Sequence, residues 1–212
     1  MRKYLLSVFC ILMPLTILAQ SEWPIYAYSN ICTFRVPRTL ELRDPYSVLG
    51  EFTQSFKEYY QMNFKDEIVF QQSGLNSDDF DVVKKATPLY ARIIIRCVPM
   101  NGIDQKMVAS ATQSDIKELG ELWKKDVMQI FSGPDFKWYS VTREKIGGKY
   151  VLIKKYQRPA ALNSSDGSPV YVEEYNFFLT GKLISFTLSY RLSESKLWKV
   201  DFSNIMNTLS FN

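Results

Sequence analysis

Gly147-Gly148 separates two runs in which apolar and polar residues alternate, Lys137–Lys145 and Lys149–Gln157. Two central residues able to take positive φ suit the two-residue turn that matches strand twist, so this pattern predicts a β-hairpin. A second hairpin is predicted around Gly181, between Pro169–Leu179 and Leu183–Arg191. Parallel neighbours would need crossovers of a dozen residues or more, so connections this tight force antiparallel pairing. The C-terminal half is therefore an antiparallel sheet, and the fold must supply something to cover it.

Three amphipathic helices are predicted for that task. Asp44-Pro45 offers an N-cap and a first helical position, and Val48, Phe52, Phe56 and Tyr59 follow at helical spacing over 45–62. Ile116, Leu119, Trp123, Val127 and Ile130 mark a second helix over about 112–131, capped by Thr112 or Ser114 and stopped by Gly133-Pro134. Trp198, Phe202, Ile205, Met206 and Leu209 form the apolar face of a closing helix over about 194–209. Three further strands precede the hairpins. Ile31–Arg43 alternates, with Pro37 marking an edge or bulge; Glu67–Gln72 follows, and Leu89–Val98 carries apolar groups on both faces and reads as central. Residues 73–81 and 158–168 are rich in Gly, Asn, Asp and Ser and read as loops. No repeat or long linker divides the chain. The expectation is one α+β domain over 31–212, a mainly antiparallel sheet covered by three helices as an α/β/α sandwich.

The N-terminus has its own logic. Arg2 and Lys3 precede the apolar run Tyr4–Leu18, and Ile17 and Ala19 suit a signal-peptidase site, so residues 1–19 read as a secretory signal peptide cut near Ala19–Gln20. Residues 20–30 read as a lead-in. The apolar run is short and holds Pro14, and no later stretch reaches spanning length, so no membrane span is expected after cleavage. Cleavage removes two positive charges and takes the net charge from +4 to +2, which argues against a dedicated nucleic-acid binder. The doublets Lys84–Lys85, Lys124–Lys125 and Lys154–Lys155 are scattered and read as solvated faces.

The chain contains no histidine. That removes the commonest general base, the Ser-His and Cys-His pairs, and most zinc sites. Asp78, Asp79 and Asp81 lack the closing glutamate of a calcium loop and read as a solvated turn, so no metal or cofactor is expected. Gly147-Gly148-Lys149 and Gly181-Lys182 lack the P-loop pattern. Glu173 and Glu174 are adjacent on a strand and must face opposite ways, which is poor geometry for a carboxylate pair, though Glu144 on another strand could partner one of them.

The segments TFRVPRTLELRDPY (33–46) and FFLTGKLISFTLSYRLSESKLWKVDFSNIMNTLSF (177–211) resemble the opening strand and the last hairpin with closing helix of the PsbP-like family. IVFQQSGLN with LYARIIIR is similar to small secreted bacterial proteins of unassigned activity. The resemblance implies an antiparallel sheet between helix layers and a non-enzymatic accessory or binding role. The metal-linked histidines of some plant members have no counterpart here.

The expected function is an exported, non-enzymatic binding or accessory module of the bacterial envelope, periplasmic or extracellular, with an envelope protein or a glycan as partner. A histidine-free carboxylate hydrolase and a membrane-tethered protein with an uncleaved N-terminus are the alternatives. The aromatic-rich strands nominate Trp138, Tyr139, Tyr171 and Tyr175 as a candidate exposed aromatic surface. Cys32 and Cys97 fall on core-facing rows of their strands, and an oxidising compartment would allow them to pair across a loop of about 65 residues.

Overall fold

The structure, a computed structural model, describes residues 22–43, 67–160 and 167–212. The expected signal peptide, the expected helix over 45–62 and the middle of the 158–168 loop lie outside the described residues.

Both predicted hairpins form. β6 (Lys137–Ile146) and β7 (Lys149–Arg158) meet at Gly147 and Gly148, whose φ values are +57° and +78°. β8 (Val170–Leu179) and β9 (Lys182–Arg191) turn through Gly181. β3 (Leu40–Leu42), β4 (Ile68–Gln72) and β5 (Ala91–Pro99) complete a seven-stranded sheet of order β3-β4-β5-β9-β8-β7-β6, antiparallel at each ladder. One irregularity interrupts it: a bulge between Trp138 and Ser140 shifts the register of β6 by one residue against β7.

The first predicted strand divides. Pro37 accepts a turn bond from the Leu40 amide at 3.0 Å, and the chain breaks there into β2 (Cys32–Arg35) and β3. The two halves join different sheets. β2 is the middle of a small sheet with β1 (Ile25–Tyr28) on one side and β10 (Ser210–Phe211) on the other. The segment 20–30 therefore contributes a strand as well as a lead-in.

This small sheet and helix α4 (Ser195–Asn207) cover one face of the large sheet, its inner face. Alternation on β5, β8 and β9 aims Ile93, Ile95, Phe177, Ile184 and Phe186 into that space, all fully buried. Phe34 from β2 meets Phe70 and Phe186 edge-on at 5.8 and 5.6 Å, a favoured aromatic geometry. Helix α4 buries Trp198, Phe202, Ile205 and Met206, the expected stripe. Glu194 anchors its start by accepting from the Trp198 indole at 2.8 Å and the Tyr90 amide at 3.0 Å.

Three helices lie between the strands. α1 (Phe80–Ala86) grows out of the acidic loop, with Asp79 as its cap accepting from the Asp81 amide at 2.8 Å. That gives one of the three aspartates a structural task in place of a solvated turn. α2 (Gln105–Ser110) and α3 (Gln113–Ile130) pack on the outer face of the large sheet.

Candidate functional site

On the outer face, period-two alternation lines up Leu152 and Lys154 on β7, Glu174, Asn176 and Phe178 on β8, and Leu183 on β9. α2 and α3 lie over this row without filling it. Between them and the sheet is a cleft of about 430 Å³, within the usual range of small-molecule sites. Its walls are apolar, with Met107, Ile116, Leu119 and Trp123 from the helices facing Leu152 and Phe178 from the strands.

The roof is fastened at several points. Gln105, at the start of α2, donates its amide N–H to the Tyr150 and Phe178 carbonyls at 2.9 and 3.1 Å and accepts from the Tyr150 amide at 2.7 Å. Those bonds bridge β7 and β8 from above. At the other end of α2, Arg143 of β6 donates to the carbonyls of Val108, Ala109 and Ala111 at 3.0, 2.8 and 2.6 Å. A cation there satisfies orphan carbonyls and complements the helix dipole. α3 begins with a reciprocal capping box, Thr112 with Asp115, and these bonds hold the Asp115 carboxyl below its ordinary range. At Gly120 a Cβ would stand 3.3 Å from Val141 Cγ2, so glycine lets α3 sit close on β6.

Three polar side chains break the apolar floor. Lys154 Nζ lies 2.8 Å from Glu174 Oε1, and the ammonium also stands over the Trp123 ring at 5.0 Å. Asn176 is 2% exposed, and its side-chain amide donates to the Glu174 carbonyl at 3.3 Å. The second lysine of the doublet, Lys155, pairs with Glu173 at 3.2 Å on the inner face. The doublet is thus two ion pairs on opposite faces, in place of one solvated patch.

No family model matches the chain, and no curated protein matches it. Among solved structures it is similar to the cyanobacterial PsbP protein CyanoP of Synechocystis, with a TM-score of 0.50, 15% identity, and coverage of 89% of this chain and 92% of that one. The fold is PsbP-like. Weaker likenesses, at 10% identity, are to LpqN of Mycobacterium tuberculosis (TM-score 0.43, covering 85% of this chain and 83% of that one) and to the Ran-binding protein Mog1p of Saccharomyces cerevisiae (TM-score 0.44, covering 89% and 95%).

Within this PsbP-like frame the nominated aromatic residues do not form one patch. Tyr139, Tyr171 and Tyr175 gather on the inner face around Glu173. Trp138 points the other way and stacks on Tyr156 at 6.2 Å. The Glu173 carboxylate accepts from the Tyr171 and Tyr175 hydroxyls at 2.9 and 2.5 Å. Tyr175 is buried, Tyr171 half-buried and Tyr139 exposed. Burial, then the Glu173 charge, pushes the Tyr171 and Tyr175 hydroxyls well above their ordinary range, and the Tyr190 hydroxyl to about 12.

Glu173 and Glu174 do face opposite sides, as their partners show. Glu144 shares the inner face with Glu173, but it pairs with Val151, level with Phe177 and two ladders away. Strand spacings put their Cα atoms about 13 Å apart along the strands and about 9.5 Å across them, a poor basis for a glycosidase pair.

Cys32 and Cys97 are thiols that face each other's sheet within the same core. Burial, then the neighbouring Cys97, pushes the Cys32 thiol up to about 12. Among the described residues, no group of three His, Cys, Asp or Glu is placed to hold a metal, and no helix is long and apolar enough to cross a membrane.

Sequence reasoning missed the cleft. Its polar floor comes from residues that read singly as a surface lysine, a strand glutamate and an asparagine. Its roof depends on the six-residue α2, too short to show a period.

Proposed function

We propose that this protein is an exported, non-enzymatic binding module of the bacterial envelope, and that the cleft beneath α2 and α3 is its binding site. The reading of export rests on the charge and hydropathy pattern of residues 1–19. The non-enzymatic reading rests on the lack of histidine and on Glu173 being committed to its tyrosines and Lys155. A PsbP-like fold fits such a role. The observation that carries the binding site is the cleft of about 430 Å³ under a roof held by Gln105 and Arg143. A space this apolar and this firmly framed suits a ligand that needs no rearrangement to enter. In an oxidising compartment Cys32 and Cys97 would join, tying the small sheet to the large one.

The test fills the cleft. Ala111→Phe places a ring in the space that Ala111 borders. Nile red, a neutral apolar dye, is expected to bind the native protein and to lose most of its fluorescence gain on the variant, with circular dichroism unchanged. Equal dye binding by both proteins would move the site elsewhere.

A further inference from the structure

We infer that the cleft takes a single-chain amphiphile whose polar head is uncharged and amide-like. This rests on the reading of the cleft as the binding site and adds the chemistry of the ligand. Glu174, Asn176 and Phe178 stand in one row along β8 and span about 13 Å at the strand rise. The row runs from polar to apolar. At one end are the Lys154–Glu174 pair and the Trp123 ring; at the other, Phe178 and Leu183 meet Met100 and Ile103. Asn176 sits between the two ends. A ligand matching that gradient has a head at Glu174 and a tail lying toward Phe178. Met100 and Met107, unbranched and adaptable, flank the tail's course.

The charges decide what the head is. Lys154 and Glu174 neutralise each other, and their side chains are only 15% and 19% exposed. A carboxylate head approaching Lys154 comes up against Glu174, and an ammonium head approaching Glu174 comes up against Lys154. Either brings a third, unbalanced charge into an apolar wall. A head with one donor and one acceptor adds no charge. Its N–H can donate to the Glu174 carboxylate, and its carbonyl can accept from the Asn176 amide. The present bond from that amide, 3.3 Å to the Glu174 carbonyl two residues away, is longer than the usual range, so a ligand carbonyl would improve on it.

Three probes with one tail separate the possibilities: N-decanoylglycinamide (neutral), N-decanoylglycine (anionic) and N-aminoethyl decanamide (cationic). Each is titrated below its micelle threshold against the protein as recovered from its host, by calorimetry and by intrinsic tryptophan fluorescence. The neutral compound is expected to bind about tenfold more tightly than either charged one, and each CH₂ removed from its tail to weaken binding about fourfold. Glu174→Gln, which leaves Lys154 positive, is expected to move the preference to the anionic compound, and Lys154→Met to the cationic one. Asn176→Leu is expected to weaken the neutral compound about tenfold. The ranking of heads on the unaltered protein decides the matter without relying on any variant folding. Equal binding of all three heads, or a charged head bound best, overturns the inference while Nile red binding keeps the cleft as the site. Failure of Nile red and of all three probes overturns both readings.

Discussion

Glu173 and Glu174 are consecutive residues of one strand, and the sheet gives them opposite lives. Glu173 faces inward, where two tyrosine hydroxyls and Lys155 converge on its carboxylate beneath an aromatic core. Glu174 faces outward, paired with Lys154 at the floor of an unfilled cleft. The inner face is closed by a second sheet and a helix whose large side chains interlock. The outer face is roofed by two helices held a short distance off by hydrogen bonds at α2. The difference teaches that packing, more than residue type, separates a structural carboxylate from one available to a ligand.

If that contrast is right, equal truncations on the two faces have unequal costs. Leu188→Ala removes a fully buried side chain from the inner core, and guanidinium unfolding should show a loss of about 3–5 kcal/mol. Leu183→Ala, at the cleft and half-buried, should cost about 1 kcal/mol. Similar losses for both would erase the distinction between the faces.

A smaller effect is expected where the hairpin turn meets the C-terminal segment. Gly147 has φ +57°, and a Cβ there would stand 2.6 Å from the Leu209 carbonyl oxygen, a backbone atom that cannot swing aside. Gly147→Ala should therefore cost about 1–3 kcal/mol, read as a lowered thermal midpoint. Gly148→Ala meets no neighbour within 4 Å and should cost less, although its φ is also positive. The reverse order would mean the turn does not dock as described.

The smallest effect sharpens the comparison by pH. Cys32, Tyr171, Tyr175 and Tyr190 all lie on the inner side, and each has its proton held more tightly in the folded state. For such acids the folded state binds protons that the unfolded state releases. Their contribution to stability is whole below pH 9, the ordinary thiol value, and declines as pH rises toward about 12. Reduced protein should lose stability through that window, and Cys32→Ala should soften the early part of the loss. Oxidised protein, with the proposed Cys32–Cys97 bond, has no thiol to titrate and should lack that part altogether. Two alkylated cysteines in protein taken directly from its host would end the disulfide proposal.

Elements with a long period were legible in the sequence. The alternation around Gly147-Gly148 and Gly181, and the apolar stripes of α3 and α4, each repeat often enough to identify themselves. β1, β10 and α2 are two to six residues long, too short for any period to show. The division at Pro37 was legible as an irregularity, but which sheet each half joins is a tertiary choice. The cleft was less legible still. Asn176 and Lys154 become a site only when the register sets them on one face and Gln105 brings α2 over them.

The bulge in β6 carries a consequence for how such a site is inherited. Beyond it, Val141 and Arg143 pair with Lys154 and Leu152 and so share the outer face. The extra residue is Tyr139: Trp138 pairs with Tyr156 and Ser140 with Lys155, so the strand beyond the bulge takes its register from the turn at Gly147-Gly148. Deleting Tyr139 would leave Val141 and Arg143 with their partners and on their face. A single-codon deletion between Arg143 and the turn would instead slip the stretch by one residue, turn Arg143 toward the inner face and draw Val141 away from Gly120, unroofing the cleft. Length changes on the turn side of the bulge therefore reach the roof of the cleft, and length changes at the bulge itself do not.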